Sequence, residues 1–266
     1  QDIFLHETAQ IADVVLPACS FAEKDGTFTN SERRVQRVRE TIKPVGSSRA
    51  DWEIICDLAR RISAKKSLGL GDQFEYRDAS AIWDEMSLLT PMLAGINYDR
   101  LEGGGIQWPC PDLDHPGTRF LYEQDFPRGA RAKFVGFDQG PASDELPTDR
   151  FPLILNTGRI LYHWHGGTIT KRAEGLLARA SELLISISPE DGEKYQVEDG
   201  EWITVKSRRG TIEGRVSYSD KMRSGEIFVP FVKLQEHAVN FLTNAALDPD
   251  SRIPEYKVCA VRLERN

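Results

Sequence analysis

The pattern of apolar positions changes character near residue 150. Upstream, Trp52, Ile55, Leu58, Ala59 and Ile62 recur at three- and four-residue spacing, the period of one helix face, so a helix is predicted there with Ser48 or Asp51 as its cap. Ile82, Trp83, Met86 and Leu89 predict a second helix, and Thr90-Pro91 stops it, because proline disfavours the helical conformation of the residue before it. Nearer the start, Ala12-Asp13-Val14-Val15-Leu16-Pro17 is a short valine-rich run closed by proline and reads as a buried strand of an α/β unit. From 103 to 150 glycine, proline and aspartate prevail, as in Gly103-Gly104-Gly105 and Pro109-Cys110-Pro111, which predicts a connecting segment without regular structure.

Downstream, short β-branched runs replace the helical period. Strands are predicted at 151–155, 183–187, 202–206, 212–216, 227–229 and 259–263, separated by turn-rich gaps in the manner of an all-β barrel. Pro189-Glu190-Asp191-Gly192 and Glu198-Asp199-Gly200-Glu201 read as turns, and the acidic pair Glu190-Asp191 as a solvated loop. The division that follows is an α/β region over 1–102, a connector over 103–150 and a barrel over 151–266.

Composition narrows the function classes. A chain of 266 residues with 40% hydrophobic and 28% charged residues has material for one large or two modest cores. No apolar run approaches the roughly 20 residues that a spanning helix needs. The net charge of -7 argues against a general nucleic-acid binder, while Arg33-Arg34, Lys171-Arg172 and Arg208-Arg209 can still hold an anion locally. The four cysteines, Cys19, Cys56, Cys110 and Cys259, form no C-x-x-C pair and predict buried thiols in a reducing, cytoplasmic setting. Gln1-Asp2-Ile3-Phe4 opens directly into patterned sequence without a methionine, so a longer natural polypeptide is expected.

Two segments concentrate polar and cationic groups. Immediately after a predicted strand, residues 156–172 combine Thr157, Gly158, Arg159, Gly166, Gly167, Thr168, Lys171 and Arg172: glycines that permit close ligand approach beside charges that suit phosphates. His163 and His165 lie two apart, which on an extended segment puts both on one face. Without a carboxylate or thiolate at ligand spacing, packing or hydrogen bonding to a cofactor is the better role for them than metal ligation. The second segment joins Asn240 to Thr243-Asn244 and to Pro254-Glu255-Tyr256-Lys257, offering an amide for a heterocycle and a cation for its polar edge or a phosphate. Asn244 as a helix cap and Asp248-Pro249 as a turn are the bland alternatives. No G-x-S-x-G elbow, H-E-x-x-H helix or Walker loop is present, and nothing names a nucleophile or general base.

These motifs, taken together, resemble the molybdopterin-dependent oxidoreductases, most closely formate dehydrogenase catalytic subunits. The resemblance runs through Gln1-Asp2-Ile3-Phe4, Thr8-Ala9, Ala12-Asp13-Val14-Val15-Leu16-Pro17, Glu23, Gly26-Thr27-Phe28-Thr29-Asn30, Arg33-Arg34-Val35-Gln36 and Asp51-Trp52-Glu53-Ile54. It continues through Gly105-Ile106-Gln107-Trp108-Pro109-Cys110-Pro111, His115-Pro116-Gly117-Thr118, the loop from Thr157 to His165, and the ending from Pro254 to Arg262. The chain departs from that pattern at Val232-Lys233-Leu234-Gln235 and at Lys171, where a point charge replaces a planar fork.

The resemblance implies a partial Rossmann-like α/β domain followed by a double-psi β-barrel, clasping a bis(molybdopterin guanine dinucleotide) cofactor with molybdenum or tungsten. By motif position, Gln1 and Asp51 meet a guanosine portion, while Thr157, Gly158, Arg159, Ile160, His163, His165, Thr168, Phe231, Asn240, Tyr256 and Lys257 line pterin and pyrophosphate. It places the metal ligand and a 4Fe–4S cluster upstream, so the chain alone is not expected to oxidise formate to carbon dioxide. The implied partners are the rest of the catalytic subunit and electron-transfer subunits with iron–sulfur, flavin or NAD sites. A related oxidoreductase with another substrate, a pterin-free structural relative and a non-catalytic interaction module are the alternatives.

Overall fold

The computed structural model describes residues 1–123, 126, 129, 131–138, 140 and 143–265. The chain forms two compact units, Gln1–Phe134 and Val135–Asn266. The other positions of the expected connector lie outside the described residues.

The first unit is mixed α/β. Its elements are the one-turn helix α1 (Glu7–Gln10), strands β1 (Gly26–Thr29) and β2 (Arg34–Val38), helices α2 (Asp51–Lys66), α3 (Ala79–Leu89) and α4 (Tyr98–Leu101), and the short β3 (Ile106–Gln107). The three strands form an antiparallel sheet in the order β1-β2-β3. Both predicted helices are present. Helix α2 has Asp51 and Glu53 in its first turn and Lys65 and Lys66 in its last, charges that complement the helix dipole at each end. The Asp78 side chain caps α3 by accepting the Ala81 amide at 2.9 Å.

Two expectations fail in this unit. The run 12–17 is not a buried strand: Val14 and Val15 are exposed, and only isolated parallel bridges, Asp2 with Pro17 and Ala18 with Arg49, touch this stretch. Composition alone does not bury a strand that has no partner on both edges. The start of the supposed connector is built in, because β3 pairs with β2 and Cys110 sits fully buried beside Val35, Trp83, Ile96 and Leu101. Its backbone is organised by arginines instead of a regular ladder. Arg33 donates to the Trp108 and Thr118 carbonyls, and Arg100 to those of Gly95 and His115.

The second unit holds β4 (Leu153–Gly158), α5 (Glu174–Leu177), β5 (Leu184–Ile187), α6 (Pro189–Tyr195), β6 (Trp202–Lys206), β7 (Thr211–Tyr218), β8 (Glu226–Pro230) and β9 (Val258–Arg265). Six strands close into a barrel in the order β4-β8-β5-β7-β6-β9. The pairs β4/β8 and β5/β7 are parallel and the others antiparallel. Successive side chains of a strand point to opposite faces, so β4 and β6 alternate strictly between buried and half-buried positions. Leu153, Leu155, Ile185, Ile187, Ile203, Val205, Ile227 and Val229 fill the interior.

The predicted turn at 189–192 is corrected. Ser188 caps a two-turn helix by accepting the Asp191 amide at 3.1 Å, and Pro189 occupies its first turn, where a missing N–H costs nothing. Asp191 is fully buried, not solvated. Gly192 closes against β7: a Cβ there would lie 2.2 Å from the Tyr218 hydroxyl.

Candidate functional site

Barrel topology brings three distant segments to one end. Strands β4 and β8 are parallel, so Arg159 and Phe231 leave the barrel side by side, and the Phe231 amide donates to the Gly158 carbonyl at 3.0 Å. Strand β9 runs antiparallel to β4 on its other edge, so the residues preceding it, 254–257, arrive at the same end. Thr157 fastens them: its amide donates to the Lys257 carbonyl at 3.1 Å and its hydroxyl to the Tyr256 carbonyl at 2.9 Å.

Between these segments lies a groove of about 450 Å³. Arg159, His165 and Gly166 form one side, Asn240, Thr243 and Asn244 another, and Phe231, Pro254, Tyr256 and Lys257 complete it. Of the residues singled out in the sequence, the structure thus brings together Arg159, His165, Phe231, Asn240, Tyr256 and Lys257. Gly166, Thr243, Asn244 and Pro254 were absent from the expected contact set. Their signal was their position within the same two polar segments.

The groove is cationic and aromatic. Neither Arg159 nor Lys257 has a carboxylate partner among the described residues, so their charge is available to a ligand. The Lys257 ammonium lies 5.7 Å from the Phe231 ring centre and 5.8 Å from that of Tyr256, and the two rings are 5.8 Å apart. Cation–π attraction at this range pre-positions the ammonium beside the rings. The nearby Glu255 carboxylate is engaged by the Asn244 amide at 2.9 Å and by the Asp144 backbone N–H at 3.1 Å.

The remaining expected residues lie elsewhere. His163 is buried, with Nε2 donating to the Ala180 carbonyl at 2.8 Å and Nδ1 3.1 Å from the Thr170 hydroxyl. A carbonyl can only accept, so Nε2 carries a proton. The ring is therefore an internal strut of the loop, with both nitrogens occupied. The expectation that His163 and His165 share a face fails because the segment turns: His165 has φ +49° and Gly167 φ +80°, and the Gly167 amide donates to the Trp164 carbonyl at 2.9 Å. A Cβ at Gly167 would come within 2.7 Å of the Val232 side chain, so the turn requires glycine twice over.

Ile160 lines a neighbouring apolar cavity of about 380 Å³ with Leu161, Tyr162, Phe228 and Pro230. Gly158 keeps β4 close to β8, since a Cβ would meet the Phe228 ring at 2.7 Å. Thr168 is exposed, and its carbonyl accepts from the Arg172 guanidinium. Gln1 and Asp51 belong to the first unit, where the Gln1 amide donates to the Asp51 carboxylate at 2.6 Å and Lys24 pairs with its other oxygen. Burial raises the Asp51 pKa, but the Lys24 ammonium and the Gln1 amide together outweigh it and hold the carboxyl below its ordinary value.

Among the described residues no cluster of His, Cys, Asp or Glu has the arrangement of a metal site. The arrangement suits an anionic, flat heterocyclic ligand: cations for phosphate, amides for ring edges, aromatic walls for its faces. The Molydopterin dinucleotide binding domain family matches residues 153–260, which cover five barrel strands, the start of the sixth and every residue that lines the groove, and the Molybdopterin oxidoreductase family matches residues 1–61. The chain belongs to the molybdopterin oxidoreductases.

Its relatives in that family include the F420-dependent formate dehydrogenase subunit alpha of Methanocaldococcus jannaschii, 44% identical over 266 residues, with 100% of this chain and 38% of the relative covered. The assimilatory nitrate reductase catalytic subunit of Bacillus subtilis is 40% identical, with 98% of this chain and 37% of that protein covered. Among solved structures, acetylene hydratase from Pelobacter acetylenicus superposes with a TM-score of 0.69 at 19% identity, over 99% of this chain and 39% of that one, a likeness of fold. The chain thus spans under two fifths of the length of these proteins. A molybdopterin cofactor follows from family membership, and the groove fits one: two cations without a carboxylate partner among the described residues answer phosphates, and the Asn240 amide offers both donors and acceptors.

Proposed function

We propose that the chain is the cofactor-embracing portion of a formate dehydrogenase catalytic subunit and that its groove holds part of a bis(molybdopterin guanine dinucleotide). The observation that carries this reading is the meeting of Arg159, Asn240 and Lys257 in one groove, in a chain whose formate dehydrogenase alpha relatives are 39–44% identical along its whole length.

The cofactor, with molybdenum or tungsten, supplies the two-electron redox centre for converting formate to carbon dioxide or the reverse. The residues of this chain bind and orient it. Arg159 and Lys257 neutralise phosphate charge, and Arg159 does so with a planar fork. Asn240 satisfies donors and acceptors on a ring edge, with Asn244 fixed behind it on Glu255, while Phe231 and Tyr256 shield the ring faces from water. Because these donors are held before the ligand arrives, little reorganisation is needed on binding. Gln1 and Asp51 serve a guanosine portion in the same proposal. A 4Fe–4S cluster and the metal's cysteine or selenocysteine ligand belong to the rest of the subunit. The electrons pass to partner subunits with iron–sulfur, flavin or NAD sites, in the cytoplasm.

The full catalytic subunit, purified from cells supplied with molybdate or tungstate, is the material for the test. Stoichiometric pterin together with formate-dependent dye reduction is the expected result. Absence of pterin ends the reading. Pterin with nitrate-dependent oxidation of reduced dye, and no response to formate, transfers the chain to the nitrate reductase branch, the second reading that 40% identity supports.

A further inference from the structure

Two walls of the groove are held by a short segment that contributes nothing to its lining. We propose that residues 143–146 form a brace in which Glu145, acting through Arg209, is the positioning residue that sets the Asn240–Thr243–Asn244 wall of the cofactor groove. The proposal deepens the cofactor-binding reading and rests on it for its functional consequence.

The geometry runs outward from one carboxylate. Glu145, only 10% exposed at its side chain, receives Arg209 through two donors at 2.6 and 3.2 Å, Arg208 at 2.9 Å and the Ala260 amide at 2.9 Å. Burial raises its pKa, but Arg209, the Ala260 amide and Arg208 outweigh that and hold the carboxyl below its ordinary value, so it is ionised at neutral pH. With one edge of its fork fixed on Glu145, Arg209 turns its Nε and Nη2 onto a single carbonyl, that of Leu242, at 3.0 and 2.8 Å. Leu242 is fully buried and lies between Asn240 and Thr243, so clamping its peptide fixes the groove residues on either side. A guanidinium is suited to this because its donors have fixed mutual geometry, which a lysine lacks.

The same segment reaches the opposite wall. The Asp144 amide donates to Glu255, between Pro254 and Tyr256, and Glu255 also accepts from Asn244 at 2.9 Å. The hairpin turn that carries Arg209 leaves no slack: a Cβ at Gly210 would lie 2.7 Å from the Phe241 carbonyl. Two loops far apart in sequence are thus referred to one strap, which fixes the spacing between amide donors and cations that the ligand must match.

The test uses the full catalytic subunit with E145Q, R209K, R209M and the double variant E145Q/R209M. Hydrogen exchange of amides at 239–244, measured without cofactor, is expected to accelerate about tenfold or more in R209M, the scale of losing a charge-assisted hydrogen bond. R209K, which keeps the charge but not the fork, is expected between R209M and the parent, and the double variant no worse than R209M, since Glu145 works through Arg209. Cofactor release, followed by pterin fluorescence, is expected to speed up in the same order. Unchanged exchange at 239–244 alongside a lowered melting temperature overturns the brace and leaves a fold-supporting ion pair. Exchange that changes while pterin release does not overturns the positioning role. A parent subunit without pterin defeats the cofactor reading instead, and the exchange measurement still decides the brace. If R209M fails to fold, R209K and E145Q carry the same comparison.

Discussion

Asp191 is fully enclosed, and its carboxylate takes the Ser188 hydroxyl at 3.0 Å, the Ser224 hydroxyl at 3.2 Å and the Gly225 amide at 2.8 Å. A buried donor whose acceptor is removed bears its full desolvation cost, so D191A is expected to destabilise the barrel by about 3 kcal/mol, and D191N, which keeps one acceptor oxygen, by about 1 kcal/mol. Urea titrations followed by far-UV circular dichroism check both values; a loss below about 0.5 kcal/mol in D191A would show that water replaces the carboxylate. Lys257 poses the opposite case. Its side chain is exposed and without a carboxylate partner among the described residues, and its backbone carbonyl, which accepts the Thr157 amide, is kept on substitution, so K257M is expected to leave stability within about 0.5 kcal/mol. Its loss is felt by a phosphate-bearing ligand, with retention of pterin by the full subunit weakened about tenfold, as for one charge-assisted contact. Equal retention in K257M and parent would remove Lys257 from the groove's function.

Strand β7 shows what packing demands of one position. Gly214 faces the point where the Arg215 amide donates to the Leu183 carbonyl at 2.9 Å, and a Cβ there would lie 2.7 Å from that carbonyl oxygen and 2.9 Å from the Ile185 side chain. The oxygen is backbone in a closed barrel and cannot swing aside, so G214A is expected to cost about 1–3 kcal/mol. Gly175 in α5 has nothing within 4 Å, and G175A is expected to be neutral or slightly stabilising in the same urea assay. Nothing in the sequence separates these two glycines, which marks the limit of local reading. What was legible follows a period: 202–206 coincides with β6 and the other barrel strands overlap their predictions, because a barrel wall has one face in and one out. Order, closure and the two parallel pairs are long-range facts without a local signature. Their consequence, the approach of Arg159, Phe231 and Tyr256, was visible only through resemblance to a family. Asp191 was misread, and the enclosure of His163 was not legible, for a related reason. Burial of a polar side chain is decided by partners such as Ala180 and Gly225, distant in sequence. The Ser188-Pro189 pair was the overlooked local cue to α6.

At the scale of the molecule, the two units differ in how much apolar surface each encloses. The barrel surrounds an interior of aliphatic side chains drawn from all six strands. Among the described residues the first unit's core cluster is small, Val35, Trp83, Ile96, Leu101 and Cys110 with four partly buried neighbours; Ala18, Cys19, Ala50, Ile54 and Cys56 are buried outside it, and the predicted apolar stripe of α2 is half exposed, with Ile55, Leu58 and Ile62 at 55%, 49% and 48%. Hydrophobic stabilisation scales with apolar area removed from water, at about 25 cal/mol per Å², so the chain by itself should not unfold as one body. Two urea transitions are expected, the first unit melting at the lower concentration and the barrel later. Trp83 is buried, its indole N–H donating to the Ile96 carbonyl at 2.7 Å, so its fluorescence should report the first transition, and W83F should diminish that signal, to which Trp52 and Trp108 of the same unit also contribute, while leaving the later far-UV change at its original midpoint. A single transition in which fluorescence and far-UV signals coincide would mean that the units stabilise each other by more than the difference between their cores. In that case each single-residue loss argued for the barrel would have to be measured against the stability of the whole chain.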